Sequence, residues 1–278
     1  MTEVSARLYG GGGTNRVTIA DLAAAKSRGE RWPMLTAYDA TTAQILDEAG
    51  IPVLLVGDSA ATLIYGYDST LPVTIEELLP LVRGVVRGSK RALVVADLPF
   101  GTYQQSVEQA IETGARFLKD GMAHAVKLEG GRSVLPQVEA MTAAGIPVMA
   151  HLGLTPQSVH QLGGYKVQGR GEAGEILLEE AKLLEQAGAF SLVLEVVPAE
   201  LAERVTAAVN IPVIGIGAGN QCDAQVLVWQ DLVGMTRGRT AKFVKEYAHL
   251  AGTITNAVQS WADDVASGAY PAEEQTYH

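Results

Sequence analysis

From Pro33 onward the chain alternates between short apolar runs and longer segments of helical period. Apolar or β-branched runs stand at 34–38, 52–57, 92–96, 124–128, 147–151, 190–195, 212–216 and, more weakly, 225–229. Such runs read as short strands. Most are separated by stretches such as TTAQILDEAG, TIEELLPLVRGVVRGS, SVEQAIETGARFLKDG and EILLEEAKLLEQAGA, in which apolar residues recur at helical spacing. Gly50, Gly88, Gly121, Gly145 and Gly188 lie near the ends of these helical segments. A left-handed residue commonly closes a helix at such a place.

Strand–helix alternation predicts parallel βα units, either in an open doubly wound sheet or in a closed barrel. About eight such units without a break in composition favour the closed α/β form, a (β/α)8 TIM barrel. Residues 1–17 lack the rhythm, and the glycines from Gly10 to Gly13 give them the character of a flexible tail. Residues 18–278 read as a single barrel domain. Its closing stretch, RTAKFVKEYAHLAGTITNAVQSWADDVASG, looks helical and is expected to complete the outer ring.

Composition narrows the function classes. With 278 residues and 47% hydrophobic content, the chain can bury a substantial core. A formal net charge of −10 argues against a nucleic-acid surface, although it says little about a small anionic substrate. The lone cysteine, Cys222, rules out an intrachain disulfide and spells no zinc cluster. The start, MTEVSARLYGGGG, has no apolar signal-like core, and no run reaches the length of a membrane span. The expectation is a soluble, cytoplasmic protein.

The strand-like runs end unusually. VLLVGDS (53–59), LVVADLP (93–99), AVKLEGG (125–131), PVMAHLG (147–153) and LVLEVVP (192–198) each deliver ionisable groups at or near the end of an apolar stretch. Barrel active sites lie at the C-terminal ends of the strands. Asp58, Asp97, Lys127, Glu129, His151 and Glu195 therefore map to a barrel mouth. Lys127 and Glu129 are two apart and so share one side of their strand. Any one of these acids taken alone is as readily a cap or an ion pair; Asp58-Ser59, for instance, suits the cap of a turn. Converging buried acids need a cation or a proton to share. The hard oxygens of Asp58, Asp97 and Glu129 suit magnesium better than zinc or calcium, and manganese fits as well. Glu195 has apolar neighbours, Leu194, Val196 and Val197, a setting that favours a general base. A glutamate paired with a neighbouring helix explains it equally. His151 alone is often only a hydrogen-bonding residue. GIGAGN (215–220) departs from dinucleotide-loop spacing and reads as a tight turn or an anion cradle. The long segment 151–172 reads as a site cover or a subunit contact.

VGDS (56–59), YDSTLPVT (67–74), ADLPFG (96–101), VKLEGG (126–131), HLGLTPQSV (151–159), GGYKVQGRG (163–171), LVLEVVP (192–198) and IPVIGIGAGN (211–220) together resemble the ketopantoate hydroxymethyltransferase family over nearly the whole chain. The resemblance implies a barrel of the phosphoenolpyruvate-using and isocitrate-lyase-like kind. It implies transfer of a hydroxymethyl group from 5,10-methylenetetrahydrofolate to 3-methyl-2-oxobutanoate, giving 2-dehydropantoate on the route to pantothenate. By the same resemblance, Asp58, Asp97 and Glu129 hold magnesium. Asp58, Ser59, Asp97 and Lys127 contact the oxo acid, His151 orients the new hydroxyl, and Glu195 is the base. The family pattern also implies a homo-oligomer, commonly a decamer. Ala60-Ala61 departs from the pattern, which has a larger residue and then glycine after VGDS. Two further readings remain open: a magnesium-dependent C–C lyase, which would need an acid–base cysteine or its equivalent in a mobile loop, and a non-enzymatic binding barrel.

Overall fold

The computed structural model describes residues 7–10, 15–238 and 240–278. Eight strands form in chain order: β1 (Trp32–Thr36), β2 (Val53–Val56), β3 (Leu93–Asp97), β4 (Ala125–Glu129), β5 (Val148–Gly153), β6 (Ser191–Glu195), β7 (Val213–Ile216) and β8 (Ala224–Leu227). Each pairs in parallel with the next, and β8 returns to β1, so the sheet is a closed barrel. The fold class expected from the strand–helix rhythm is the one observed.

Strand alternation then places the chemistry. Met34, Leu55, Val95, Met149, Val193 and Ile214 belong to one buried cluster, each contributed by a different strand. Residues two apart on a strand share a face. Two steps on from Val95, Met149 and Val193 come Asp97, His151 and Glu195, and two and four steps on from Ala125 come Lys127 and Glu129. The side that builds the apolar interior thus turns polar at its C-terminal end.

Part of the supposed tail is structural. Leu8 and Val17 join the same apolar cluster, beside Leu22 and Ala25 of the helix Ile19–Ser27 and the opening residues Trp32 and Ala224 of β1 and β8. The Val17 N–H donates to the Arg91 carbonyl at 2.7 Å, and Arg16 donates to the carbonyls of Ser89 and Ala92. The expectation of a flexible segment over 1–17 is therefore corrected for Leu8 and residues 15–17. Their apolar side chains cover strand starts that would otherwise meet water. Residues 1–6 and 11–14 lie outside the described residues.

The helix-closing glycines divide into two kinds. Gly50, Gly145 and Gly188 take the expected left-handed conformation. Gly88 does not: it lies within the helix Ile75–Gly88, where a Cβ would come within 2.2 Å of the Ala40 carbonyl oxygen. Close helix approach selects glycine there. At Gly121 the next residue, Met122, carries the positive φ instead.

The residue preceding β4 gives a test of stability. Burial, aided by the Arg16 charge, lowers the His124 pKa from 6.5 to about 4, while its Nδ1 accepts the Val94 N–H at 3.0 Å. The folded protein thus binds fewer protons than the unfolded chain between these values. Stability is complete above pH 6.5 and falls as pH drops through about 4. The group is partly exposed, so solvent screening trims the loss to about 1–2 kcal/mol. Chemical denaturation from pH 7 to 4.5 should show that slope, and His124→Gln should flatten it. An equal slope in the variant would remove His124 as its source.

The chain divides into two compact units, one extending through Leu227 and the other running from Val228 to His278. In the second unit, Tyr247 and Leu250 donate backbone bonds to the carbonyls of Leu232 and Val233. Its main helix, Leu250–Ser267, ends on Gly268 with φ 77° and buries none of its residues. The helix expected near the chain's end is present. No helix among the described residues is long and apolar enough to cross a membrane.

Candidate active site

Asp97, Lys127, Glu129 and His151 are all buried, and so is Asp58, two residues beyond β2. Lys127 Nζ donates to Asp97 Oδ1 at 2.6 Å and lies 3.9 Å from Glu129 Oε1. The other Asp97 oxygen accepts the Asp58 backbone N–H at 3.2 Å. Strand register brings this about, because Asp97 pairs with Lys127 and Glu129 with His151 across the sheet.

Three buried carboxylates against one lysine set the electrostatics. Desolvation, reinforced by Asp97 and Glu129, holds Asp58 well above the usual carboxylate range. Desolvation also raises Asp97, against the pull of Lys127. Burial works against the charge on Lys127, but Asp97, Glu129 and Asp58 outweigh it and raise its pKa. Burial opposes ionisation of Glu129 too, yet His151 and Lys127 bring its pKa below the ordinary value. His151 lies between two acids, with Nδ1 3.3 Å from Glu129 Oε1 and Nε2 3.4 Å from Glu195 Oε2. Neither contact has hydrogen-bond alignment. Burial and the Lys127 charge work against a proton on His151, yet the Glu129 and Glu195 carboxylates outweigh them and raise its pKa above the ordinary value.

Glu195 is the outermost of the acids, its side chain 18% exposed against 2% for Glu129. The apolar flank expected for it is only part of its setting, since its carboxylate faces His151. The backbone around it is held from both sides. The Glu195 carbonyl accepts the Leu154 N–H at 2.8 Å, and the Val196 N–H donates to the Ile216 carbonyl at 2.8 Å. Gly153 permits this approach, for a Cβ there would stand 2.3 Å from the Glu195 oxygen. Val196 itself has φ 49°, a conformation that costs a β-branched residue about 1–3 kcal/mol.

Ser59 stands at the N-cap of the short helix Ala60–Leu63 without making a side-chain cap bond. Its Oγ instead pairs with the Tyr38 hydroxyl at 2.8 Å. A cap therefore does not explain it. Ala60 and Ala61 are fully buried, so larger side chains would have to displace packed neighbours.

All seven residues singled out from the strand ends thus gather at the C-terminal ends of β2 to β6. Tyr38, Tyr103 and Gln157 were not foreseen. Gln157 lies inside HLGLTPQSV and Tyr103 shortly after ADLPFG, so the motifs marked their neighbourhood without marking them. Tyr165, on the same long loop as Gln157, is largely exposed, and partial desolvation, then the charges of Asp58, Glu195 and Glu129, raise its pKa. GIGAGN serves close packing: a Cβ on Gly219 would meet Ala199 at 2.6 Å. Cys222 is buried just before β8 begins, at the opposite end from these groups.

The donor set admits magnesium. Glu129 Oε1 is buried without a hydrogen bond, 3.3 Å from His151 Nδ1 and 3.9 Å from Lys127 Nζ, and the hard carboxylate oxygens gathered here are the donors magnesium prefers. Among the described residues, no group of three or more Asp, Glu, His or Cys side chains stands arranged to hold a metal ion. Magnesium needs fewer from the protein: one or two carboxylates bind it directly, and water or substrate fills the remaining positions.

Fold and site together define a closed (β/α)8 barrel with a charged mouth. Solved structures agree on the fold. A phosphoenolpyruvate phosphomutase from Streptomyces platensis subsp. rosaceus superposes with a TM-score of 0.60 at 15% identity, covering 94% of this chain and 92% of its own. Phosphonopyruvate hydrolase, in complex with oxalate and Mg++, gives 0.59 at 14% identity over 92% of each. Residues 16–273 match the family model for ketopantoate hydroxymethyltransferase. The 3-methyl-2-oxobutanoate hydroxymethyltransferase of Thermobifida fusca is 62% identical, over 97% of this chain and 96% of its own. That of Rhodococcus jostii is 59% identical, over 98% and 96%. The chain belongs to the ketopantoate hydroxymethyltransferase family.

Proposed function

We propose that this protein transfers a hydroxymethyl group from 5,10-methylenetetrahydrofolate to 3-methyl-2-oxobutanoate, forming 2-dehydropantoate for pantothenate synthesis. The observation that carries the reading is the convergence of Lys127, Glu129, His151 and Glu195 at one mouth, in a chain about 60% identical to enzymes of that name.

The residues divide the work by position. Lys127 and Ser59 bind the oxo acid's carboxylate, a cation near the end of β4 and a hydroxyl just beyond β2. Asp58, Asp97 and Glu129 would hold Mg2+, with Mn2+ chemically equivalent, and water and the oxo acid would complete its shell. Bound there, the ion supplies Lewis-acid polarisation of the 2-oxo group. Glu195, on the rim, takes the proton from C3. Water hydrolyses the methylene group from its two folate nitrogens, releasing tetrahydrofolate and formaldehyde; the carbanion equivalent attacks that carbon, and the formaldehyde oxygen takes up the proton to become the new hydroxyl. His151, 3.4 Å from Glu195, orients that hydroxyl. The lyase alternative loses its acid–base group, because Cys222 is buried at the far end of the barrel and burial raises its thiol pKa. The decameric assembly implied by the family pattern and the cytoplasmic setting expected from the composition belong to this same proposal.

Exchange of solvent deuterium into C3 of 3-methyl-2-oxobutanoate, followed by proton NMR, tests the reading without folate. Metal-dependent exchange is expected. Binding of the oxo acid without exchange would favour a binding barrel, and release of a smaller oxo acid from a longer one would favour a lyase.

A further inference from the structure

The loop after β5 inserts one side chain among the acids and uses all of its hydrogen-bonding groups. Gln157 is 4% exposed. Its backbone N–H donates to Glu129 Oε2 at 3.0 Å. Its Nε2 donates to Asp58 Oδ2 at 3.0 Å and to the Leu98 carbonyl at 2.9 Å, and its Oε1 accepts from the Tyr103 hydroxyl at 2.6 Å. The amide can face only this way. Turned over, its oxygen would oppose a carboxylate and a carbonyl with no proton between them. Tyr103 reinforces the choice. Its oxygen accepts the Glu129 N–H at 3.1 Å, and its single proton has a nearer acceptor in Gln157 Oε1 than in the Glu129 carbonyl at 3.2 Å.

Each of these acids has one oxygen engaged by Gln157. For Glu129 the other oxygen, Oε1, is buried without a hydrogen bond, on the side of His151 Nδ1 at 3.3 Å and Lys127 Nζ at 3.9 Å. A carboxylate tethered through one oxygen keeps a fixed direction for the second, which is how outer contacts orient metal ligands.

We propose that Gln157 is a positioning residue that holds Asp58 through its side chain and Glu129 through its backbone N–H, so that each acid presents its remaining oxygen to the metal, with Tyr103 locking the amide. This inference rests on the reading of Asp58 and Glu129 as metal-holding groups. It also explains why the loop after β5 must be ordered for the site to form: acids from β4 and from the segment after β2 meet on one loop residue.

Mn2+ binding to the protein without substrates, followed by the loss of the free-ion EPR signal, tests it. Gln157→Met keeps the size and the backbone N–H but removes the side-chain donors, and should weaken Mn2+ binding about 10–100-fold. Tyr103→Phe leaves the donors in place but frees the amide, and should weaken it about 3–10-fold. A purely structural role would lower Tm while leaving the Mn2+ affinity of the folded protein unchanged. Affinities within about twofold of the parent in both folded variants would overturn the proposal. Should Gln157→Met not fold, Tyr103→Phe decides alone. Failure of the unmodified protein to bind Mn2+ would sink the metal reading and this inference with it, whereas normal binding by the parent and both variants would sink only the role of Gln157.

Discussion

Glu195→Gln should abolish most proton abstraction while leaving the fold intact. The carboxylate ends β6 on the lumen side, and at 18% exposure it is the acid most open to a bound substrate. Asp58 and Glu129 each give an oxygen to Gln157, and Asp97 is held by Lys127 and the Asp58 backbone. Glutamine has nearly the same shape but cannot accept a proton at neutral pH. Loss of a positioned general base lowers rates about 10²–10⁴-fold. Both C3 exchange and kcat/KM should fall by that factor. Stability should change by no more than about 1 kcal/mol, because one misaligned contact to His151 is lost rather than a buried network. Exchange within tenfold of the parent, at unchanged oxo-acid affinity, would remove Glu195 from the role of base.

Lys127→Met is expected to have the largest effect on stability. The lysine is the cation facing Asp97 at 2.6 Å and Glu129 at 3.9 Å, in surroundings that exclude water from all three side chains. Removing it leaves the acids buried without that charge, and breaking such a pair costs about 3–5 kcal/mol. The sign of the pH dependence follows. Asp58 and Asp97 already have raised pKa values when folded. Without Lys127 they rise further, so the folded variant binds more protons than its unfolded chain. The deficit against the parent should be fullest at neutral pH and above, and should shrink as pH falls through the raised folded values, where the acids become neutral. Urea denaturation of both proteins at pH 7 and pH 5 checks this. A deficit that stays constant or grows on acidification would contradict the electrostatic explanation. Activity should be lost as well, since the same cation is assigned to the substrate carboxylate.

The legibility of the chain differs sharply between its parts. Strand positions were readable because buried parallel strands are continuous apolar runs, and their helices repeat at a different period. The polar strand ends were readable for a related reason: a carboxylate closing an apolar run is costly unless a site needs it. Val17 and Leu8 were misread because isolated apolar residues in a glycine-rich start carry no period. The helix Leu250–Ser267 was read correctly as a helix, but periodicity reports an apolar face without reporting what covers it.

By itself the sequence determined the barrel and the roster of ionisable groups, since both depend on local repeats and on the direction of a strand. It could not determine which group touches which. His151 between Glu129 and Glu195, the Tyr38–Ser59 pair, and Gln157 joining Asp58 to Glu129 all link separate strands and loops. Only the register of the closed sheet brings those atoms within hydrogen-bonding or ion-pair distance, and only there do burial and mutual charge decide which pKa values rise and which fall.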